Sequence, residues 1–174
     1  MSADEDDIND KMLAIRDIVS KLGIAKFRDV PSMKIADAMT SADVVLVDVR
    51  SEEERAVSMI AGAIPREQYE AGAEAYAAKQ VVCYDTVGYV AAAYACDRRR
   101  KGFSNVVYLE QGGIIGYTLL YPEGLVKPDG NCSIKLFSIE FIAFKGSKTH
   151  DVHTFMQGLG GLCADGMVME LIHR

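Results

Sequence analysis

Two reactive groups stand two residues apart in the stretch VVCYDTVGYV, residues 81–90. Cys83 carries a thiol and Asp85 a carboxylate, and Gly88 follows in a predicted tight loop. The apolar residues before them are typical of a buried strand, and α/β proteins commonly place their chemistry in a loop that follows such a strand. Thiols and carboxylates both serve as nucleophiles, so residue type alone leaves open which group, if either, is the working one.

Three further cysteines and three histidines are the other groups that could attack a substrate or bind a metal. The cysteines are Cys96, Cys132 and Cys163. No C-x-x-C pair occurs, so the spacing predicts neither a zinc site nor a redox dithiol. His150 and His153 could form half a metal site if His173 or Cys163 approached them, but surface histidines are the favoured interpretation. The sequence therefore predicts no metal and no cofactor.

Cys163 is the best alternative nucleophile. It lies in the glycine-rich segment 158–166, and a thiol in such a loop can be reactive. No clear strand precedes this segment and no clear helix follows it, so it is not a phosphate-binding loop of the usual form. Cys132 is expected to be exposed and open to incidental oxidation. Cys83, in contrast, has apolar neighbours and is predicted to be buried and inert.

The composition is that of a globular protein of 174 residues, with 49% hydrophobic and 25% charged residues. Its net charge of -6 argues against a nucleic-acid partner, which requires clustered cations. The basic run Arg98–Lys101 is predicted to form the last turn of a helix, where cations complement the helix dipole. No apolar run is long enough to span a membrane, and the acidic N-terminus resembles neither a signal nor a transit peptide. These features predict a cytoplasmic location.

Strands and helices alternate through the middle of the chain. Continuous apolar runs predict three buried strands, at Val44–Val47, Gln80–Tyr84 and Val106–Leu109. Helical spacing, caps and glycine stops predict helices at Ile8–Leu22, Met33–Met39, Glu52–Ser58, Pro65–Ala78, Tyr89–Lys101 and Ile114–Tyr121. Ser51 and Glu54 are predicted to form a capping box at the start of the third helix. The alternation predicts an α/β fold in which helices cover both faces of a parallel sheet.

Three segments follow from this pattern. Residues 1–29 are predicted to be a tail followed by the amphipathic helix, and residues 30–121 hold the alternating domain. Residues 122–174 are predicted to form an α+β extension of unknown role, packed on the same domain. Its expected elements are a β-rich stretch at Ser133–Phe144, a helical segment at Asp151–Gly158 and a last strand at Met167–Ile172.

Two motifs resemble the signatures of rhodanese-like domains, a sulfurtransferase superfamily. The stretch DVRSEEERAVSMIAGAIP, residues 48–65, has Asp-x-Arg after a buried strand, acidic residues that open a helix, and a small-residue turn before Ala-Ile-Pro. The stretch GFSNVVYLEQGGIIGY, residues 102–117, has Gly-Phe-x-x-Val leading into a strand and a Gly-Gly pair after it. The resemblance implies a rhodanese-like parallel sheet, with helices on both faces, for residues 30–121.

The resemblance also implies that the segment after Tyr84 is the active-site loop. Active members carry there a Cys-x-x-Gly-x-Arg-like loop, whose cysteine takes up a sulfane sulfur as a persulfide in a cradle of backbone N–H groups. Gly88 matches the loop glycine, which puts Asp85 at the cysteine position and Val90 at a position that is often basic. Cys83 falls two residues too early, inside the strand. The expected binding loop consists of Asp85, Thr86, Val87, Gly88, Tyr89 and Val90.

Three more residues are placed around the pocket by the resemblance. Asp48 and Arg50 are expected at its rim, where they could pair with each other or with the neighbouring loop, and they are expected to have a structural role. Arg50 is also the best nearby cation for an acidic ligand. Met59 is expected at the same rim, where many members of the family have a histidine.

A carboxylate cannot form a persulfide, so Asp85 changes what this loop can do. As a nucleophile for phosphoryl transfer, Asp85 would need Mg²⁺ ligands or cations nearby. The loop itself offers Thr86 and Tyr89 but nothing cationic. The favoured hypothesis is that the Asp85 carboxylate fills the anion site itself and accepts the loop N–H bonds, with a lowered pKa. The domain would then fold without transferring sulfur.

Three functions remain open from the sequence. The first is a binding or regulatory module without sulfurtransferase activity, whose partner is a protein, a small anion or a second copy of the chain. The second is a thiosulfate or other sulfane-sulfur transferase that uses another cysteine, such as Cys163. The third is a phosphatase-like activity, ranked last because the Cys-(x)5-Arg loop of those enzymes is absent. Neither nucleic acid nor a membrane is expected as a partner.

Overall fold

The computed structural model describes residues 3–121 and 124–126. Its strands are β1 (Ser32–Met33), β2 (Val44–Asp48), β3 (Met59–Ile60), β4 (Ile64–Pro65), β5 (Gln80–Tyr84), β6 (Val106–Leu109) and β7 (Leu125–Val126). Five of them form one sheet in the order β1-β6-β5-β2-β4, and every neighbouring pair in it is parallel. β3 and β7 form a separate antiparallel pair. The predicted parallel α/β fold is confirmed.

Within the described residues, six α-helices connect and cover these strands. They are α1 (Ala3–Lys21), α2 (Ile35–Thr40), α3 (Glu52–Val57), α4 (Arg66–Ala71), α5 (Tyr89–Arg100) and α6 (Gly113–Leu120). Short 3-10 helices follow α1 and α4, at Ile24–Phe27 and Ala73–Tyr76. The predicted capping box is present at α3: Ser51 Oγ accepts the Glu54 N–H, and the Glu54 carboxylate accepts the Ser51 N–H.

The sheet has an apolar core on each face, because side chains alternate along its strands. On one face, Val82 and Tyr84 of β5 pack in a cluster with residues of α1, α2, α6 and β7. On the other face, Val81 and Cys83 pack with residues of α4 and α5. Ile15 of α1 is buried in the first core, so the N-terminal helix is packed into the same domain.

Several element bounds differ from the sequence predictions. α1 begins at Ala3, whereas the apolar periodicity predicted a start at Ile8. The predicted helix Pro65–Ala78 is interrupted at Gly72, which separates α4 from a 3-10 helix. The strands β1, β3 and β4 were not predicted, because two residues carry no readable periodicity and these strands are defined by their pairing with β6, β7 and β2.

Within the predicted C-terminal extension, the structure describes residues 124–126 alone. Leu125 and Val126 pair with Ile60 and Met59 of β3, so this part of the extension does pack on the domain. The predicted elements between residues 133 and 172 lie outside the described residues. So do the candidate groups of that region, which are Cys132, His150, His153, Cys163 and His173.

The basic run Arg98–Lys101 at the end of α5 makes contacts within the domain. The Arg98 guanidinium lies 4.0 Å from the centre of the Phe103 ring, and Arg99 donates a hydrogen bond of 3.0 Å to the Val106 carbonyl. Lys101 pairs with Asp97 at 2.7 Å. These contacts support the prediction that the run belongs to a helix end. Among the described residues, none of the helices is both long enough and apolar enough to cross a bilayer.

Candidate functional site

The candidate site is the loop between β5 and α5, at the carboxyl end of the parallel sheet. β5 ends at Tyr84 and α5 begins at Tyr89, so residues 85–88 make the whole turn. Gly88 has φ = 99°, in the left-handed region that favours glycine. This conformation turns the chain from the strand into the helix. The loop then presents successive backbone N–H groups to the side chain of Asp85.

The Asp85 carboxylate accepts hydrogen bonds from three backbone N–H groups. Oδ1 accepts from Gly88 at 2.7 Å and from Ala91 at 3.2 Å, and Oδ2 accepts from Val90 at 3.2 Å. The residue is 4% exposed. The donors belong to the loop and the first turn of α5, whose unpaired N–H groups attract an anion. This is the arrangement predicted for a carboxylate that fills the anion site.

The predicted lowering of the Asp85 pKa, however, is wrong. Burial is the largest influence on this carboxyl and raises its pKa, because the ionised form loses its hydration. The N–H groups of Ala91, Val90 and Gly88 act in the opposite direction but do not outweigh burial. Hydrogen bonds to the carboxylate favour its ionised form, but the depth at which Asp85 lies has the larger effect on its pKa.

The amino end of α6 holds the loop from its other side. The Ile114 N–H donates to the Asp85 carbonyl at 2.9 Å, and the Ile115 N–H donates to the Thr86 carbonyl at 3.3 Å. Gly113 makes this approach feasible, because a Cβ at that position would lie 2.3 Å from the Asp85 carbonyl oxygen. The Gly-Gly pair noted in the sequence therefore has a physical role: it brings a helix amino end against the loop.

Glu54 ties the loop to α3. One oxygen of its carboxylate accepts the Thr86 hydroxyl at 2.9 Å, and the other accepts the Ser51 N–H of the capping box at 3.1 Å. Glu54 and Thr86 are both buried. The sequence identified Glu54 as a capping residue only. Its second contact spans 32 positions of the chain, a separation at which a local motif carries no signal.

Cys83 is buried in the second core, on the face of the sheet that α4 and α5 cover. It lies in β5, in register with Val47 of β2. Burial raises the pKa of its thiol well above the ordinary value. Since the thiolate is the reactive form of cysteine, this thiol is inert as placed. The prediction that Cys83 is a structural strand residue is confirmed.

Asp48 and Arg50 form a buried ion pair beside the loop. Arg50 Nη2 lies 2.6 Å from Asp48 Oδ2, and the two side chains are 1% and 0% exposed respectively. The same Nη2 donates to the Ser58 carbonyl at 2.6 Å, and the guanidinium lies 5.8 Å from the centre of the Tyr84 ring. Burial alone would lower the pKa of Arg50, but the hydrogen bond and charge of Asp48 outweigh it and raise that pKa. The predicted structural pairing is confirmed, and this cation is fully enclosed.

A cation from a distant part of the chain lies at the mouth of the loop, which is formed by Tyr89 and Val90. Lys26 Nζ donates to the Tyr89 hydroxyl and lies 4.9 Å from the centre of the Phe27 ring. Phe27 in turn meets Tyr89 edge to face, with ring centres 5.6 Å apart. The loop sequence predicted nothing cationic here. That inference was incomplete, because the packing of the first 3-10 helix against α5 brings Lys26 to the loop. The sequence around Lys26 contains no pattern that predicts this contact.

Val90 and Met59 are two further residues of the predicted site. Val90, at the position expected to be often basic, is 52% exposed and carries no charge. Met59 is buried in β3 and lies opposite Val126 of β7. That Met59 borders a ligand pocket stays a prediction. Within residues 3–121 and 124–126, no group of three or more His, Cys, Asp or Glu side chains is arranged to hold a metal ion.

Comparisons with known proteins agree with this fold. A model of the family described as "Rhodanese-like domain" matches residues 33–118. A search of curated proteins found no match to the chain.

Six chains among the solved structures match this chain, and two of them are described as follows. One is a protein of unknown function from Rhodopseudomonas palustris CGA009, described as a "Possible Tyrosine Phosphatase". The two sequences are 24% identical, the match covers 57% of this chain and 85% of that chain, and the TM-score is 0.42. The other is a thiosulfate sulfurtransferase from Pseudomonas aeruginosa, with 16% identity, 87% of this chain and 27% of that chain covered, and a TM-score of 0.49. Neither likeness assigns an activity. On the family match, residues 33–118 of this chain are a rhodanese-like domain.

Proposed function

We propose that this rhodanese-like domain is a pseudoenzyme: it does not transfer sulfur through the β5–α5 loop and acts as a binding or regulatory module. One observation carries the proposal. The Asp85 carboxylate accepts the N–H groups of Gly88, Val90 and Ala91, which are the groups that would otherwise hold an anion or a persulfide in this loop. A carboxylate cannot accept a sulfane sulfur, and its oxygens already use these donors.

Among the described residues, the position of the thiol nearest to the loop supports the same conclusion. Cys83 lies in the strand, is fully buried and has a raised thiol pKa, so it cannot take over the role of a nucleophile at the loop. The mouth of the loop instead presents Val90 and Tyr89, with Lys26 beside them. In this proposal, the exposed side chain of Val90 and the contact between Lys26 and Tyr89 form the part of the loop that a partner contacts. The partner's identity, the oligomeric state and the cytoplasmic location expected from the sequence stay predictions.

A direct assay tests the absence of sulfur transfer. The full-length protein is incubated with thiosulfate and cyanide, thiocyanate is measured, and mass spectrometry is used to detect a one-sulfur adduct. We expect no thiocyanate above the protein-free reaction and no adduct. Turnover would contradict the proposal. If turnover were abolished by Cys163→Ala, the chain would instead be a sulfurtransferase that uses a thiol outside the loop.

A second experiment tests whether the backbone N–H groups that now bind Asp85 can stabilise a thiolate or persulfide. Asp85→Cys places a thiol where the carboxylate now accepts three N–H groups, and these donors would stabilise a thiolate or persulfide. We expect this variant to gain a one-sulfur adduct after exposure to thiosulfate. The matched control is Asp85→Ser, which has a similar size but no thiol and should gain none. Equal behaviour of the two variants would show that the loop is not a cradle for sulfur.

A further inference from the structure

Gln111 is the only residue other than glycine that has a positive φ among the described residues. Its φ is 65°, in the left-handed region, which is unfavourable for a residue that carries a Cβ. Gly112 and Gly113 follow with φ of 90° and 56°, so three successive left-handed residues lead from β6 into α6. A residue keeps such a conformation only where its surroundings hold it, so the contacts of Gln111 show what holds this turn.

The side chain of Gln111 is bonded to α2. Its Oε1 accepts the N–H of Ile35, the first residue of that helix, at 3.1 Å. Lys34, which precedes the helix, caps it with no side-chain hydrogen bond. One of the N–H groups that the start of a helix leaves unpaired is therefore satisfied from 76 positions away. Gln111 is exposed, so its side chain acts through this bond and does not fill the core.

The backbone of Gln111 packs against α6. A Cβ at Gly116 would lie 1.7 Å from the Gln111 carbonyl oxygen and 3.4 Å from Ile35 Cδ1. The residue before Gln111 is also fixed, because the Glu110 N–H donates to the Met33 carbonyl at 3.0 Å. The turn at Gln111, the start of α2 and the first turn of α6 thus lie against one another, and the Gln111 side chain bonds the turn to α2.

The start of α6 is also the part of the fold that holds the candidate site. The Ile114 N–H donates to the Asp85 carbonyl, and the next amide of α6 donates to the following carbonyl of the loop. These carbonyls belong to the same short loop as the N–H groups that bind the Asp85 carboxylate. The direction in which α6 leaves the turn at Gln111 therefore sets where the loop backbone lies.

We propose that Gln111 is a positioning residue for the Asp85 loop. By accepting the Ile35 N–H, its side chain holds the left-handed turn and fixes the direction in which α6 meets the loop. The N–H groups around the Asp85 carboxylate are then kept in place by a residue that does not touch it. A glycine would adopt the turn more readily but has no acceptor for the Ile35 N–H, which accounts for a glutamine where the backbone favours glycine.

The role of Gln111 rests on the proposed function for its meaning, because the loop that it positions is the proposed site. The two can fail separately. Sulfur transfer by the wild-type protein would reject the pseudoenzyme proposal and leave the role of Gln111 standing. Unaltered amide exchange in the Gln111 variants would reject that role and leave the pseudoenzyme proposal standing.

Two substitutions at Gln111 separate its hydrogen bond from its backbone conformation. Gln111→Gly relieves the unfavourable conformation but removes the acceptor, whereas Gln111→Glu keeps an acceptor oxygen on a side chain of the same length. The measurement is hydrogen exchange of the Ile114 amide in the full chain, with the Val81 amide in the centre of the sheet as the reference.

For Gln111→Gly, we expect exchange at Ile114 to accelerate about two- to tenfold more than at Val81, the range expected for the loss of one hydrogen bond. Gln111→Glu should cause no such selective acceleration. The matched control is Ser32→Ala, which removes the 2.8 Å bond to Glu110 beside the turn and should leave Ile114 unchanged. If Gln111→Gly behaved like Gln111→Glu, or if Ser32→Ala had the same effect as Gln111→Gly, the role of Gln111 would be overturned.

A second readout at the loop itself distinguishes positioning from a purely local effect on the turn. The thiol introduced by Asp85→Cys lies among the N–H donors of Gly88, Val90 and Ala91, which favour its thiolate. Its pKa is obtained from the pH dependence of its alkylation by iodoacetamide. Adding Gln111→Gly should raise this pKa by roughly 0.3–1 unit, which corresponds to the same two- to tenfold change. An unchanged pKa would show that Gln111 holds the turn without positioning the loop.

Discussion

Two buried aspartates lie close together at the carboxyl end of the sheet, and they are neutralised in different ways. Asp48 ends β2 and is paired with the guanidinium of Arg50, 2.6 Å away. Asp85 follows β5, the neighbouring strand, and its hydrogen-bond partners are the backbone N–H groups of its own loop and of α5. One carboxylate is held by an opposite charge from a side chain, and the other by dipoles of the main chain.

The difference explains why one aspartate supports the fold and the other defines the site. The ion pair of Asp48 and Arg50 is enclosed by the fold, and only Arg50 Nη1 of its guanidinium is buried without a hydrogen-bond partner among the described residues. The N–H groups around Asp85 form a cradle that any anion of suitable size could use, and in this sequence the anion is a side chain. A single substitution at Asp85 would therefore change the chemistry of the loop, whereas a substitution at Asp48 or Arg50 would damage the fold.

The largest effect is expected from Arg50→Met, which leaves Asp48 buried without its cation. Breaking a buried ion pair on one side costs about 3–5 kcal/mol, because the remaining charge is uncompensated. Urea unfolding at pH 7 would measure this loss. The double variant Asp48→Asn/Arg50→Met removes both charges and should recover part of it. As a control, Lys101→Met breaks the exposed pair with Asp97 and should change stability little. A similar small change for Arg50→Met would contradict the comparison.

An intermediate effect is expected at Asp85. Asp85→Ala leaves the N–H groups of Gly88, Val90 and Ala91 without an acceptor, which we expect to cost roughly 1–3 kcal/mol. Asp85→Asn should cost less, because its amide oxygen can still accept from Gly88 and Ala91, both of which use Oδ1 in the native loop. Urea unfolding of the two variants at one pH would measure the difference. If the alanine variant were as stable as the asparagine variant, the carboxylate would not be holding the loop.

The smallest effect is the pH dependence of stability that Asp85 contributes. Its pKa is raised in the folded protein by burial, above the value of about 3.9 in the unfolded chain. Between those two pKa values the native state binds more protons than the unfolded state, so this contribution is present at low pH and is lost as the pH rises through the folded pKa. Relative to Asp85→Asn, the wild-type protein should therefore lose stability as the pH rises through that window. A difference that grows in the opposite direction would show that the loop N–H groups outweigh burial.

The helices and the strands of four or five residues could be predicted, and the two-residue strands could not. β5 and β6 were predicted at their observed bounds, because the sequence of a strand buried on both faces is an unbroken run of apolar residues. The start of α5 at Tyr89 was also predicted. β3 and β7 have two residues each and exist through their pairing with one another, across more than sixty positions of the chain. No local sequence pattern can predict such a strand.

For the candidate site, the sequence by itself determined the residue types and their order. Asp85, Gly88 and the Gly112–Gly113 pair fix a loop whose N–H groups turn inward and whose central group is a carboxylate, because spacing and glycine conformation are local properties. Only the tertiary structure decided the electrostatics and the attachments. The depth of burial raised the pKa of Asp85 where hydrogen bonds alone would have lowered it, and packing brought Glu54 and Lys26 to the loop. Burial and long-range contact belong to the folded arrangement of the whole domain, so no stretch of the chain encodes them alone.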